Sequence, residues 1–351
     1  MKSELLKIAE AIVSQVVDGE QVEVVAVHGT ETDIRVYQGD IESFTAAESQ
    51  GVGIRVVQDG RQGMAYAGSL DVDVLNETLE EARDNAAFGT PDEFQGIAEP
   101  DGVESVPLEL LDSSLADFAN EEKIALAIEL ERSILQSDSR IIGVESTDYV
   151  DSITTSAIVT STGIHRANQE GGCYVAASSL ASDGVDTQTG FGYSVGRSPT
   201  QLDVAKASSD ATERATRLLG AKKAESGRMS VILDPYVTAQ FLGIIGSTLS
   251  GEALLKGRSL FADREGDQVA PNFLTLIDDP TDVNAFTATE ADGEGLASRR
   301  NTLIDQGALS GFLHNSYTAR ALGTSSTGSA VRSFSSSPGA GPLALMLTPG
   351  V

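Results

Sequence analysis

One stretch decides the fold: residues 51–63, which read GVGIRVVQDGRQG. Apolar residues lie on both sides of Gln58, Asp59 and Gly60. An Asp-Gly pair between two apolar runs is a strong signal for a hairpin turn. The stretch therefore predicts two strands joined at these residues, and hence an antiparallel sheet.

The residues around this hairpin predict a small domain over residues 1–104. Apolar side chains recur at helical spacing near the N-terminus, and a period-two alternation follows them. The predicted elements are a helix over residues 1–17, strands around residues 22–26, 32–36 and 41–47 with turns at Gly29 and at Gly39-Asp40, and a helix over residues 70–87. We interpret this part as an N-terminal α+β domain, sandwich-like, with a mostly antiparallel sheet.

A β-rich middle domain is predicted over residues 105–224, after a connection rich in Pro, Gly, Asp and Glu over residues 88–115. Its predicted elements are a helix over residues 116–136, strands over 141–149, 152–161, 164–179 and 186–197 with turns at Asp151 and Thr162-Gly163, and a helix over 202–219. Gly190 and Gly192 alternate with aromatic residues, which predicts a strand that approaches other backbone closely.

Residues 225–351 form the predicted C-terminal domain, in which antiparallel strands have flanking helices. The predicted elements are a strand over residues 231–233, a helix from Pro235 to about Lys256, a strand, turn and strand over 301–312, a helix over 316–322 and a Ser/Gly-rich tail over 323–341. The chain ends at Thr348-Pro-Gly-Val351, and we expect this domain to be shortened. The whole pattern predicts an α+β fold.

Composition excludes several classes of function. The formal net charge of −28, from 52 acidic and 24 basic residues, should repel nucleic acid phosphates, although it suits a salt-adapted host or a basic peptide partner. No run approaches the roughly 18 apolar residues that span a bilayer, and residues 1–17 do not resemble a signal peptide. A single cysteine, Cys173, excludes an intrachain disulfide and a cysteine-rich zinc site. We expect a cytoplasmic protein.

The predicted helix after Pro235 bears on metal chemistry. A catalytic metal on such a helix needs two ligands about one turn apart on the same face, as in H-E-x-x-H. Here that face carries the small residues Gly243, Gly246, Ser247 and Thr248, which cannot hold a catalytic metal. We therefore expect neither a metal nor a catalytic residue on this helix. The small residues predict close packing, against another part of this chain or against a partner subunit.

Three passages, in this order, resemble the TldD/PmbA family, also called modulator of DNA gyrase, and in particular its PmbA (TldE) branch. The first is the hairpin of residues 51–63, and the second is the strand, proline and Gly/Ser-rich helix of residues 231–261. The third contains Glu294-Gly-Leu296, Arg299-Arg300, residues 305–309 (DQGAL), residues 316–323 (SYTARALG) and residues 326–328.

The resemblance implies a two-subunit cytoplasmic zinc metallopeptidase in which only the TldD subunit carries H-E-x-x-x-H. Aligned strand on strand, that motif would fall on residues 243–248. Gly243 and Thr248 would replace the two histidines, and Ile244 would replace the glutamate that activates water. The resemblance also implies unfolded peptide substrates, such as microcin precursors and antitoxin-like proteins, and zinc in the partner subunit only.

The remaining candidate residues have alternative interpretations. Arg299, Arg300 and Arg320 either bind a peptide through bidentate hydrogen bonds or pair with local acids such as Glu294 and Asp305. His28, His165 and His314 have no second ligand at i+3 or i+4, so each is interpreted as an ordinary strand or loop histidine. Cys173 is interpreted as a small buried residue.

We therefore expect a non-catalytic PmbA/TldE-like subunit of a metallopeptidase complex, paired with a TldD-like subunit or with itself. Two other functions remain open from the sequence. One is a stand-alone homodimeric hydrolase that uses His165 or His314, and the other is a scaffold module that binds peptides.

Overall fold

A computed structural model describes residues 1–348 of the chain. The helices are α1 Lys2–Val13, α2 Val72–Phe88, α3 Ser113–Asp117, α4 Asn120–Ser137, α5 Val204–Thr216, α6 Pro235–Thr248, α7 Gly251–Leu255 and α8 Ser316–Leu322. The strands are β1 Glu20–Tyr37, β2 Asp40–Gln58, β3 Arg61–Ala67, β4 Ile141–Thr160, β5 His165–Ser182, β6 Thr187–Gly196, β7 Leu276–Asp278, β8 Asn301–Asp305, β9 Ala308–Leu309, β10 Ala330–Val331, β11 Gly339–Ala340 and β12 Leu345–Leu347. None of these helices is long and apolar enough to cross a membrane.

The first six strands form one antiparallel sheet in the order β3-β2-β1-β4-β5-β6. The α+β class with antiparallel sheets is confirmed. The sheet continues from the predicted N-terminal domain into the predicted middle domain, because β1 pairs with β4 over fourteen residues, from Glu23↔Thr160 to Val36↔Thr147. The domain boundaries at 104/105 and 224/225 stay predictions, and both lie in stretches without helix or strand.

Several turns are correctly predicted. The turn predicted at Gly39-Asp40 lies one residue earlier, at Gln38 and Gly39, which have φ of 55° and 79°. The turn predicted at Gln58-Asp59-Gly60 is present, with φ of 50° at Asp59 and 70° at Gly60. Two residues in succession with positive φ are typical of a type I′ turn, which matches the twist of the two strands that it joins. The turn at Thr162-Gly163 is also present, with φ of 106° at Gly163.

The turns predicted at Gly29 and Asp151 are wrong, since β1 and β4 pass through these residues without a break. Gly29 pairs with Ser49 of β2 and with Thr154 of β4. Asp151 pairs with Thr32 of β1 and with Cys173 of β5. A strand with a partner on both sides forms its backbone hydrogen bonds regardless of local turn preference, so tertiary pairing overrides these signals.

The four long helices of the first 220 residues cover one face of the sheet. Helices α1 and α2 pack on alternate residues of β1 and β2, such as Val24 and Ile54, and helices α4 and α5 pack farther along the same face. The predicted close approach of β6 is confirmed. A Cβ at Gly190 or Gly192 would come within 2.3 Å of a carbonyl oxygen of α5.

The C-terminal part differs from its prediction in three places. Residues 231–233 form no strand and are exposed, with Ile232 99% accessible. The single helix predicted to extend to Lys256 is divided into α6 and α7, because Ser250 lies in an extended conformation and is the N-cap of α7. The Ser/Gly-rich segment 323–341 is structured and includes the pair β10 and β11, with Ser329 and Ala330 fully buried.

A second sheet, in the order β12-β7-β8-β9, organises the C-terminal part. Its hairpin at Gln306-Gly307 and helix α8 are both correctly predicted. Strand β12 was not predicted. Residues 349–351, where the sequence suggests a shortened end, lie outside the described residues.

Candidate functional site

Helix α6 carries residues 243–248, onto which the resemblance would align the family's metal motif. Asp234 caps its N-terminus by accepting a hydrogen bond from the Tyr236 N–H at 2.9 Å, and Pro235 occupies the first turn, where its missing N–H costs nothing. The helix ends at Thr248, before the turn into α7.

The three residues that the resemblance aligns with the zinc motif, Gly243, Ile244 and Thr248, do not have the side chains of a zinc site. A Cβ at Gly243 would meet open space, and the Ile244 side chain is 61% exposed. The Thr248 hydroxyl donates to the Ile245 carbonyl at 2.7 Å. Glycine and isoleucine offer no donor atom, and zinc sites use imidazole, thiolate or carboxylate. Among residues 1–348, no group of three or more His, Cys, Asp and Glu is placed to hold a metal ion.

Gly246 and Ser247, predicted to lie at a close-packed face or a subunit interface, have different surroundings. A Cβ at Gly246 would come within 2.5 Å of the Leu345 side chain, so this glycine allows α6 to pack on the segment that includes β12. Ser247 is exposed, and its hydroxyl donates to the Ile244 carbonyl. Neither observation tests the interface, which stays a prediction.

The three candidate arginines bind to other parts of the chain. Arg299 donates to Asp101 at 2.6 Å, and Arg320 donates to the carbonyl oxygens of Phe94 and Gly96 at 2.8 and 2.9 Å. These two arginines therefore attach the connection before α3 to the C-terminal part.

Arg300 lies 3.5 Å from Asp279 and keeps 54% of its side chain exposed. The local acids suggested by the sequence, Glu294 and Asp305, are therefore not the ones that the three arginines bind. A role in peptide binding stays a prediction for all three.

The histidines and the cysteine occupy separate places. His28 Nε2 lies 2.6 Å from Glu48, and His165 contacts Glu10 at the surface. His314 is buried, with Nδ1 3.3 Å from the Thr318 hydroxyl, and burial lowers its pKa.

Cys173 is buried as predicted, at 1% exposure. Burial raises the pKa of its thiol to about 12, and the charge of Asp151 adds to this shift. A thiol that stays protonated at neutral pH is a poor nucleophile.

A cavity of about 680 Å³ lies between the uncovered face of the first sheet and the C-terminal part. Its sheet wall includes Gly171 and Gly172 of β5, and a Cβ at Gly172 would come within 2.5 Å of the Phe286 ring. Arg197 closes one side by donating to the Phe286 carbonyl at 2.9 Å. The cavity mixes apolar surface with a few charged groups, which is typical of ligand-binding sites.

The charges beside this cavity form a buried network. Glu23 of β1 is fully buried and accepts hydrogen bonds from Arg55 Nε and Nη2 at 3.0 and 3.1 Å, and from Arg332 Nη1. Burial alone would raise the pKa of Glu23, but the two guanidinium groups outweigh it and lower the pKa to about 2. The first sheet and the segment after α8 thus share one buried ion cluster.

Two further carboxyl groups complete this junction. Asp292 accepts hydrogen bonds from the N–H groups of Glu294, Leu296 and Ala330 at 2.9 to 3.0 Å. Burial, with the nearby charge of Glu294, raises the pKa of Asp292 to about 7. Burial also raises the pKa of Glu294, which accepts a hydrogen bond from the Ser316 N–H at 2.8 Å. These carboxyl groups fix the loop before β8 against α8 and β10.

Sequence reasoning missed this cluster, although a signal was present. Glu23 stands between Val22 and Val24, and Arg55 stands inside GVGIRVV, so each of the two apolar stretches 22–27 and 51–57 carries one charge. The hairpin register places them opposite each other. Opposite charges at facing positions of two apolar strands indicate a buried pair.

Comparison with known proteins gives the same family for all three parts of the chain. Residues 22–86 match PmbA/TldA metallopeptidase domain 1, residues 113–219 match the central domain, and residues 226–351 match the C-terminal domain. The fold and these matches define a protein of metallopeptidase architecture. The chain belongs to the PmbA/TldD metallopeptidase family.

Individual relatives agree. The chain is 25% identical to Metalloprotease PmbA of Escherichia coli O157:H7, covering 89% of this chain and 69% of that protein. It is 26% identical to a Metalloprotease TldD homolog of Buchnera aphidicola, covering 80% and 60%. The structure of TldE from Thermococcus kodakarensis superposes with a TM-score of 0.85 at 21% identity, covering 99% of this chain and 78% of that one.

Proposed function

We propose that this chain is the non-catalytic, PmbA/TldE-like subunit of a cytoplasmic zinc metallopeptidase complex that acts on unfolded peptides. A TldD-like partner subunit would carry the zinc and the glutamate that activates water. The observation that carries the proposal is the composition of α6, which has Gly243, Ile244 and Thr248 at the positions where the resemblance would place the family's ligands and base.

The chemistry of these positions supports the proposal. An isoleucine side chain has no basic atom to remove a proton from water. A threonine hydroxyl is a poor zinc ligand at neutral pH, and glycine has no side chain to offer. The other titratable residues considered above do not replace them, since Cys173 is a buried thiol and the three histidines contact separate residues.

The test is to purify the full chain alone, a TldD-like protein alone and the two together. Zinc is measured by mass spectrometry, and hydrolysis is followed with a fluorescent unfolded polypeptide. We expect hydrolysis by the pair, zinc only with the TldD-like protein, and neither zinc nor hydrolysis with this chain alone. The matched control replaces the partner's water-activating glutamate by glutamine, which should abolish hydrolysis without preventing assembly.

Two results would contradict the proposal. Stoichiometric zinc and hydrolysis in this chain alone would establish a stand-alone enzyme. Failure of the two proteins to associate, with peptide binding by this chain alone, would instead establish a scaffold without a peptidase.

A further inference from the structure

The first sheet has a free edge along half of β2. Strand β3 pairs with β2 only from Val52↔Ala67 to Gln58↔Arg61. Residues 41–50 of β2 therefore pair with β1 alone, and no strand within residues 1–348 pairs with their other side. Because alternate residues of a strand direct N–H and C=O to opposite sides, about five residues present unpaired backbone groups here. Such an edge is a template for another strand.

This edge also presents apolar side chains. Ile41 and Phe44 are opposite Val36 and Ile34 of β1, so they lie on the face that the helices cover. Val36 and Ile34 are fully buried, whereas Ile41 and Phe44 are 48% and 42% exposed. The apolar layer of the sheet thus extends to its edge, where an added strand would cover it.

The Asp and Glu residues of the edge segment itself have no Lys or Arg among them. Residues 40–50 contain three acids, Asp40, Glu42 and Glu48, and no lysine or arginine. On the opposite face of the sheet, Glu31 and Asp33 of β1 stand beside Ala47 and Thr45. Two basic residues of β1 lie close by, and both contact acids of this chain: His28 Nε2 lies 2.6 Å from Glu48, and the Arg35 guanidinium is bound to Asp148 at 2.6 Å.

We propose that residues 41–50 bind an extended, lysine- or arginine-bearing peptide by adding it to the sheet as a further strand. This inference rests on the proposed function and deepens it, because it names the substrate class as basic and unfolded. Backbone pairing suits substrates of varied sequence, since every residue except proline has the same N–H and C=O groups. The acidic side chains would then select for basic peptides.

Charge argues against a second copy of this chain at the edge. In an antiparallel self-pairing centred on Thr45, Glu42 of each copy would be opposite Glu48 of the other. Like charges at facing positions destabilise a strand pair. The acids also protect the edge from self-association, as charged edge strands do in other sheets.

The test measures binding of a fluorescein-labelled ten-residue peptide that alternates lysine with valine to the full chain at low salt. Two matched peptides serve as controls, one with glutamate for lysine and one with N-methyl groups on alternate backbone nitrogens. We expect both controls to bind at least tenfold more weakly, since one lacks the charge and the other cannot pair. Binding of the lysine peptide should also weaken as salt increases.

The location of the peptide on the chain is tested with two charge-reversal variants and with hydrogen exchange. Glu42→Lys should weaken peptide binding by about twofold to fivefold. Glu81→Lys, on the exposed face of α2, should leave peptide binding unchanged. Peptide binding should slow amide exchange in residues 41–50, as measured by mass spectrometry.

Three results would overturn the inference. They are equal binding of the N-methylated peptide, unchanged exchange in residues 41–50, and a dimer in sedimentation whose formation protects these residues without peptide. Because the chain is tested alone and no hydrolysis is measured, these results are independent of whether a TldD-like partner forms an active complex.

Discussion

The two halves of β2 provide an instructive contrast. Residues 51–57 are all buried, whereas residues 40–50 of the same strand are all exposed. Both halves pair with β1, with a bulge in the exposed half that leaves Glu42 without a partner in β1. The strand itself therefore does not decide burial, which depends on what lies beside it and on its two faces.

The buried half is enclosed on three sides. Strand β3 pairs with it, and α1 and α2 cover Val52, Ile54 and Val56. On the other face, Phe334 lies over Gly51 and Gly53, where a Cβ would come within 2.4 and 1.7 Å of it. The exposed half has none of these neighbours. We conclude that the buried half joins the first sheet to the C-terminal part, whereas the exposed half is open to solvent.

The largest effect is expected from Arg55→Leu in the buried half. This substitution leaves Glu23 buried with Arg332 as its remaining cationic partner, and breaking a buried ion pair costs about 3–5 kcal/mol. The free energy of unfolding, measured by urea denaturation, should fall by that amount. The control Arg132→Leu removes a surface pair with Glu129 and should cost less than about 1 kcal/mol. Equal losses in the two variants would contradict a special role for the junction.

Acid should reduce the difference between Arg55→Leu and the natural chain. The pKa of Glu23 is about 2 in the folded state and 4.5 in the unfolded chain. Its stabilising contribution, on the order of 3 kcal/mol, is therefore complete above pH 4.5 and is lost as pH falls toward 2. Urea denaturation of both proteins between pH 2 and 7 checks this. A difference that stays constant below pH 4.5 would rule out ionised Glu23 as its source.

A smaller loss is expected from Gly53→Ala. The new methyl group would overlap the Phe334 carbonyl oxygen, so the segment around Phe334 would have to move. Overpacking of this kind costs about 1–3 kcal/mol. Gly143→Ala in β4 is the matched control, since its Cβ would meet nothing within 4 Å. If both variants unfold at the same urea concentration, Phe334 does not lie over Gly53 in solution.

The smallest effect is expected in the exposed half of β2. Phe44→Ala should change the free energy of unfolding by less than about 0.5 kcal/mol, as is typical of surface substitutions. The same urea measurement checks it. A loss above about 2 kcal/mol would mean that this half is already covered in solution, and the contrast between the halves would fail.

Local chemistry explains what could be predicted from the sequence. The Asp59-Gly60 turn depends on two residues that tolerate a positive φ, and helix α8 is bounded by Asn315 as its N-cap and Gly323 in the left-handed conformation. Such signals act over a few residues, so they are visible in the sequence. The same locality explains the wrong turn at Gly29, where pairing with two neighbouring strands outweighs the preference of one residue.

The order in segment 323–341 could not be predicted in this way. Its Ser and Gly residues read as a flexible tail, yet Phe334 packs on Gly51 and Gly53 from a distant part of the sequence. The candidate site shows the same limit. The residues of α6 could be interpreted from the sequence alone. The partners of Arg299 and Arg320, Asp101 and Phe94, could not, because they lie in a connection without helical or strand periodicity.

The ion cluster has a consequence for synthesis of the chain on the ribosome. Glu23 and Arg55 emerge early, but Arg332 follows Glu23 by 309 residues. At translation rates of about 5–20 residues per second, Arg332 is synthesised roughly 15–60 s after Glu23. During that interval the nascent sheet presents Gly51, Gly53 and an incompletely neutralised acid to solvent. Completion of this face therefore depends on Arg332 and Phe334, which are made long after the strands that they cover.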